Sequence, residues 1–401
     1  ILRLVHYEDT STQMVALNIV YDVGARDEHP EHTGFAHLFE HLMFGGSAHI
    51  PDYDTPLQLA GGENNAWTNN DITNYYLTVP KPNVETAFWL ESDRMLELAF
   101  SEQSLEVQRG VVMEEFKQRC LNQPYGDVGH LFRPLAFRVH PYRWPTIGKE
   151  LSHIEQATLD EVKSFFYRFY APNNAVLAVT GNISWDETVK LTEKWFAPIP
   201  RRDVPVRQLP QEPEQTQERR LTVERNVPLD ALFMGYHMCS REGADYYAFD
   251  ILSDILSNGR SSRLNRRLVQ EQNIFSGIDA YISGTRDAGL LQISGKPAAG
   301  VSLEQAEAAV RKELEELQRS PVDGQELEKV KNKFESTQIF GNINYLNVAT
   351  NLAWFELTGK AEDIDLEVER YRSVTTEQLH TVAQRTFCES NAVVLYYKSD
   401  K

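Results

Sequence analysis

Two stretches of this chain, a constant 217 residues apart, repeat one local pattern. Residues 157–177 read ATLDEVKSFFYRFYAPNNAVL and residues 374–394 read VTTEQLHTVAQRTFCESNAVV. Each supplies a threonine in an N-cap setting (Thr158, Thr375), an amphipathic helix, and then Asn-Ala-Val opening a strand. A second pair, LEVQR at 105–109 and LEKVK at 327–331, repeats at an offset of 222. Both halves also open on alternating strand-like runs, MVALNIVYDVG at 14–24 and DALFMGYHM at 230–238. Helix–strand patterning also arises by convergence. Two collinear matches at nearly one offset point instead to an internal duplication of a roughly 200-residue α+β unit.

Residues 201–219, RRDVPVRQLPQEPEQTQER, carry three prolines and few apolar residues, and read as an extended surface linker. The expected layout is a first domain over 1–200, a linker over 201–221 and a second domain over 222–401. No apolar run approaches the ~18 residues that span a bilayer, so a soluble chain without a membrane span is expected. The sequence starts at Ile1, which leaves a cytoplasmic and a periplasmic or exported location both open. A net charge of −18 argues against nucleic acid as a partner. It suits inward steering of basic peptides as well as plain solubility. Cys120, Cys239 and Cys388 are too few and too scattered for a disulfide framework or a zinc-finger spacing, and read as structural thiols.

The segment EHPEHTGFAHLFEHLMFGGS at 28–47 holds His29, His32, His37 and His41. Pro30 breaks any helix through the first two, which read as solvated loop residues. A helix is expected from about Thr33 to Gly45-Gly46. Phe35, Leu38, Phe39 and Leu42 form its apolar stripe. His37, Glu40 and His41 fall on an adjoining face, because residues three and four apart are helix neighbours. Two imidazoles on one face suit zinc, a third protein ligand leaves one position open, and a carboxylate that is not a ligand can accept a proton from water. His-x-x-Glu-His is the inverzincin order. The competing reading is a half-buried helix whose two histidines bond to neighbours.

GFAHLFEHLMFGGS at 34–47 resembles the zinc-helix signature of the M16 metallopeptidases, among them pitrilysin, insulysin and the mitochondrial processing peptidase. GGENNAWTNNDITNYYLTVP at 61–80 is similar to the segment that follows that helix, and RGVVMEEF at 109–116 to the second zinc helix. The order is right and the resemblance covers essentially the whole chain. It implies two homologous α/β-sandwich domains of the M16B type, forming half of a clamshell. It also implies one Zn2+ per chain on His37, His41 and a glutamate of the second helix, with Glu40 as general base. Motif register favours Glu115 as that glutamate; helical periodicity leaves Glu114 open. The interval of 74 positions from His41 to Glu115 is slightly short for the family, as a small loop deletion would make it. Gln108 stands where the family often has an outer glutamate. An amide there can hydrogen-bond behind the ligands but supplies no charge.

The resemblance makes NNAWT at 64–68 an edge strand to which substrate adds, with Asn65, Ala66 and Trp67 as substrate contacts. Without it, Trp67 reads as core. In the second half, FDILSDILSNG at 249–259 aligns Asp250, Ser253 and Asp254 with His37, Glu40 and His41, and Thr337 with Glu115. That half keeps the pattern without the metal site. Family members often hold substrate with an Arg and a Tyr from a later domain or a partner. The comparable stretch, AGLLQISGKPAAG at 288–300, has neither, which implies a dimer, with a non-zinc M16-like subunit as heterodimer partner. Arg286 with Tyr281 is an outside candidate for a local substitute. The function expected is a zinc endopeptidase acting on peptides or unfolded segments bound as an added strand inside a dimeric clamshell. The alternatives are a non-catalytic scaffold subunit, which typically has a damaged His-x-x-Glu-His, and a structural zinc site, for which no fourth ligand stands out.

Overall fold

In a computed structural model, which describes residues 2–400, each half of the chain builds a five-stranded sheet. The first contains β1 (Arg3–Glu8), β2 (Met14–Tyr21), β3 (Glu63–Thr68), β4 (Thr73–Pro80) and β5 (Ala175–Gly181), in the order β1-β5-β2-β4-β3. The second contains β6 (Arg219–Arg225), β7 (Ala231–His237), β8 (Phe275–Ile282), β9 (Leu290–Pro297) and β10 (Ala392–Ser399), in the order β6-β10-β7-β9-β8. In each, only the first-named pair is parallel. The duplication seen in sequence is thus a duplication of strand order and sense.

The repeated stretches have the expected roles. Thr158 caps the helix Leu159–Phe169 by accepting the Glu161 N–H, and β5 follows. Thr375 caps Thr376–Thr386 in the same way through Gln378, and β10 follows. β2 and β5 are buried on both faces, which is why they read as nearly continuous apolar runs. On one face Leu17, Ile19, Leu177 and Val179 join the main core with Leu38, Phe39, Phe88 and Phe166. On the other, Ala16, Val20, Val176 and Ala178 take Ala349, Ala353 and Leu357 of the helix Tyr345–Thr358.

That helix comes from the second half of the sequence. One compact unit comprises the first 122 residues, His140–Pro210 and Ile339–Leu366; the other comprises Gln123–Val139, Gln211–Gln338 and the chain from Glu367 onward. The second unit likewise takes the helix Val128–Ala136 from the first half, and Phe132 of that helix packs at Gly235 of β7. Residues 201–218 form no helix or strand, and β6 begins inside the stretch read as linker. Arg202 donates to the carbonyls of Tyr170 and Leu96, and Arg207 to Asp27, so the start of this stretch is strapped to the first unit. Among the described residues no helix is long and apolar enough to cross a membrane.

Candidate active site

The helix carrying the histidine pair spans Phe35–Leu42. It starts after Gly34, whose φ of +85° favours glycine; a Cβ there would meet Ile154 Cδ1 at 2.6 Å and the Ile147 carbonyl at 2.9 Å. The helix therefore begins two residues beyond Thr33. It has no side-chain cap at Gly34. Glu28 supplies one from the preceding loop. Its Oε2 accepts the Gly34 N–H (2.9 Å) and the Trp144 Nε1–H (3.0 Å), and its Oε1 accepts the Ala36 N–H (2.9 Å). Burial pushes the Glu28 carboxyl up to about 8 against the pull of these three donors. Phe35, Leu38, Phe39 and Leu42 are buried as a stripe, His37 is buried, and Glu40 and His41 are half-buried.

The helix Glu102–Phe116 is capped by Ser101, which accepts the Ser104 N–H. It lies close to the end of the histidine helix because Gly45 has no side chain; a Cβ there would stand 2.6 Å from Ser104 Oγ. After Phe116 it widens into a π-type turn at Lys117–Leu121. This turn brings Arg119 to Glu115 Oε1 at 2.7 Å. Glu115 Oε2 then faces His37 Nε2 at 3.4 Å and His41 Nε2 at 3.3 Å, and the two Nε2 atoms are 3.3 Å apart. Glu114 is exposed and accepts from Gln118. Among the described residues, His37, His41 and Glu115 are the only three ligating side chains that converge in this way.

This donor set fits zinc. Tetrahedral zinc with bonds of ~2.0–2.1 Å holds its ligands about 3.3–3.4 Å apart, and a three-ligand set leaves one position open. The electrostatics agree. Burial pushes His37 down to about 4, so it is neutral and able to ligate near neutral pH. The His41 hydrogen bond holds Glu115 below the usual carboxylate range. Glu40 is pushed up by burial, and the hydroxyl of Thr68, donating to its Oε2 at 2.6 Å, opposes the shift.

β3 pairs only with β4 and leaves its other edge open. Asn69 N–H donates to Ile72 O at 3.0 Å, and antiparallel pairs alternate. Trp67, Asn65 and Glu63 therefore bond across to β4, while the backbone groups of Thr68, Ala66 and Asn64 face the open side. The Ala66 N–H accordingly goes to Asn65 Oδ1, at 2.8 Å, rather than to β4. Ala66 is half-buried; Asn65 is exposed, and so is Trp67 at 36%, so Trp67 is not core. Gln108 packs near Gly45 and its side chain makes no hydrogen bond among the described residues, where His37 Nδ1 also has no partner.

His29 and His32 are exposed and lie outside the convergent group; His32 Nδ1 is 3.3 Å from Glu161. In the second unit Asp250 accepts from Tyr371, Asp254 from Asn258, and Ser253 donates to the Asp250 carbonyl. Thr337 is exposed. Tyr281 lies on edge strand β8, 47% exposed, and Arg286 in the loop to β9. Three residues at the site escaped the sequence reading. Glu28, Thr68 and Arg119 act through hydrogen bonds to helix ends or to a carboxylate, and only Arg119, four residues after Glu115, had a spacing that could have revealed it.

Residues 3–127 match the family model of insulinase, peptidase family M16, and residues 156–334 match that of the peptidase M16 inactive domain. This chain belongs to the M16 peptidase family. A relative named zinc protease PqqE, from Helicobacter pylori, is 26% identical over 395 residues, covering 97% of this M16 chain and 89% of that protein. The crystal structure of a protease from Helicobacter pylori superposes with a TM-score of 0.92 at 25% identity, over 99% of this chain and 97% of that one. A peptidase M16 inactive domain from Pseudomonas fluorescens shares the fold, with a TM-score of 0.89 at 17% identity over 100% and 96% of the two chains. The M16 duplication is therefore the two sheet-and-helix units described above.

Proposed function

We propose that this M16 chain is a zinc-dependent endopeptidase that hydrolyses peptides or unfolded segments paired along β3. The observation that carries the reading is the convergence of His37 Nε2 and His41 Nε2, on the helix that also bears Glu40, with Glu115 Oε2 of the second helix, all within 3.4 Å of one another. His37, His41 and Glu115 would hold the zinc, one ion per chain. When bound, zinc supplies a Lewis acid that polarises a carbonyl and acidifies water. Glu40 takes the proton from the attacking water and delivers it to the leaving amine. A carboxylate lifted by burial suits both transfers. The open backbone groups of the Asn65-Ala66-Trp67 segment and its neighbours bind an extended peptide by strand addition, which tolerates many sequences and excludes folded ones.

The test is cleavage of a quenched basic peptide, about twenty residues long so that it spans several strand positions. Wild type is expected to cleave, and Glu40→Gln to keep one zinc per chain without cleaving. Full activity in Glu40→Gln would remove Glu40 from the mechanism. The absence of an Arg/Tyr pair from 288–300 supports a dimeric clamshell with a non-zinc partner. An active chain that sediments without a second type of subunit would exclude that partner and turn attention to Tyr281 and Arg286. The second reading is a non-catalytic scaffold subunit, favoured by the match of residues 156–334 to an inactive domain. The intact set in the first unit favours the enzyme.

A further inference from the structure

Thr68 is the last residue of β3, and two features meet on it. Its backbone N–H and C=O face the open side of the sheet, by the alternation that Asn69 and Ile72 fix. Its hydroxyl donates to Glu40 Oε2 at 2.6 Å, across 28 residues of chain. The second Glu40 oxygen, Oε1, has no hydrogen-bond partner among the described residues. A half-buried glutamate has three side-chain torsions, the last of them soft. Proton transfer demands one geometry, with the accepting oxygen within ~2.6–3.2 Å of the water. A rigid donor is needed to hold it. Thr68 is β-branched and stiff at its first torsion, and its backbone is held between Trp67 and Asn69, which bond across to the neighbouring strand on either side of it.

We propose that Thr68 is a positioning residue for Glu40, fixing Oε2 so that Oε1 is the oxygen that exchanges the proton. The same residue lies in the strand that receives the peptide, so base and substrate share one rigid support. This inference rests on the zinc-endopeptidase reading.

The experiment compares Thr68→Val, which keeps the shape and loses the hydroxyl, with Thr68→Ser, which keeps the hydroxyl. Both are purified with zinc, and zinc content and the urea midpoint are recorded first. Thr68→Val is expected to lower kcat by about 10–100-fold with KM within about twofold. Thr68→Ser is expected to recover kcat to within about threefold of wild type. Binding of the same peptide is measured directly in the Glu40→Gln background. Its Kd should be the same with and without Thr68→Val. Residual turnover of the double variant should equal that of Glu40→Gln alone, because the threonine acts only through the glutamate. Should Thr68→Val lose zinc or unfold, Thr68→Ala takes its place with the same expected loss of kcat.

Turnover of Thr68→Val within twofold of wild type would overturn the inference. A loss confined to KM and peptide Kd would also overturn it, by making Thr68 a binding contact. Thr68→Ser as slow as Thr68→Val would overturn it in favour of packing. If Glu40→Gln cleaves at the wild-type rate, it is the underlying endopeptidase reading that fails, whatever the Thr68 variants do.

Discussion

Glu28 Oε1 accepts the backbone N–H of Ala36 at 2.9 Å, one residue before the first histidine of the proposed metal site. The same carboxyl takes Gly34 and Trp144, so a buried side chain outside the helix satisfies the donors that the helix start leaves open. Glu28→Ala leaves the Gly34 and Ala36 N–H groups unpartnered, while the Trp144 Nε1–H keeps its bond to the Ala25 carbonyl at 3.1 Å. It is expected to lower stability by about 2–4 kcal/mol and to weaken zinc binding. Glu28→Gln should cost less, since one amide oxygen still accepts. Urea unfolding and a chelator competition titration read the two effects. Unchanged values in both would mean that the helix is set by its apolar stripe alone.

The two adjacent glutamates of the second helix face opposite ways, Glu115 towards His37 and His41, Glu114 towards solvent and Gln118. After dialysis against a weak chelator, Glu115→Ala is expected to retain almost no zinc. Glu114→Ala should retain a full equivalent and differ in stability by no more than ~0.5 kcal/mol. The reverse pattern would move the third ligand to Glu114. Metal analysis beside the urea midpoints decides it.

The spacing of His37, Glu40 and His41 was legible because helical periodicity is local: the stripe of Phe35, Leu38, Phe39 and Leu42 fixes which face turns outward. Glu115 and Glu114 could not be told apart by the same means. Their helix buries Leu105, Val112 and Phe116 yet exposes Val107 and Val111, so its apolar residues mark no single face. The duplication was legible through the repeats, whose capped helices lead into β5 and β10 alike, whereas the order of the strands was not. The exchange of Val128–Ala136 and Tyr345–Thr358 between the units was not, because each is an ordinary helix in composition and its partner sheet lies far away in sequence. Glu28 and Thr68 were invisible for the same reason: their partners are chosen by the fold and not by spacing.

Glu307 stands in the second unit between Arg220, Arg311 and Tyr396. Burial alone would raise its pKa, but the hydrogen bonds from Arg220, Tyr396 and Arg311 outweigh it and hold the carboxyl at about 2, against 4.5 unperturbed. A folded-state pKa below the unfolded one stabilises above the unfolded value, and that stability is lost as pH falls through the folded value. The full effect, ~3 kcal/mol, is therefore present above about pH 4.5 and fades towards pH 2. The stability gap between wild type and Glu307→Gln should be flat from neutral pH down to about 5 and narrow below it. A gap that stays constant to pH 3 in urea titrations would exclude titration of Glu307 as the cause.

Asn65 Oδ1 occupies the Ala66 N–H on the open edge of β3, the donor that an added peptide strand would need. The side chain thus shields the edge from its own kind, as exposed strand edges require. A peptide has to displace it, exchanging one hydrogen bond for another with little net gain. Asn65→Ala removes the competitor. The expected result is tighter binding of an uncleaved extended peptide in the Glu40→Gln background, by up to ~1 kcal/mol or about fivefold in Kd. A greater tendency of the variant to self-associate, read by sedimentation, should accompany it. If Kd instead rises, the Asn65 side chain is itself a substrate contact, and the exposed amide does more for the peptide than it costs by guarding the edge.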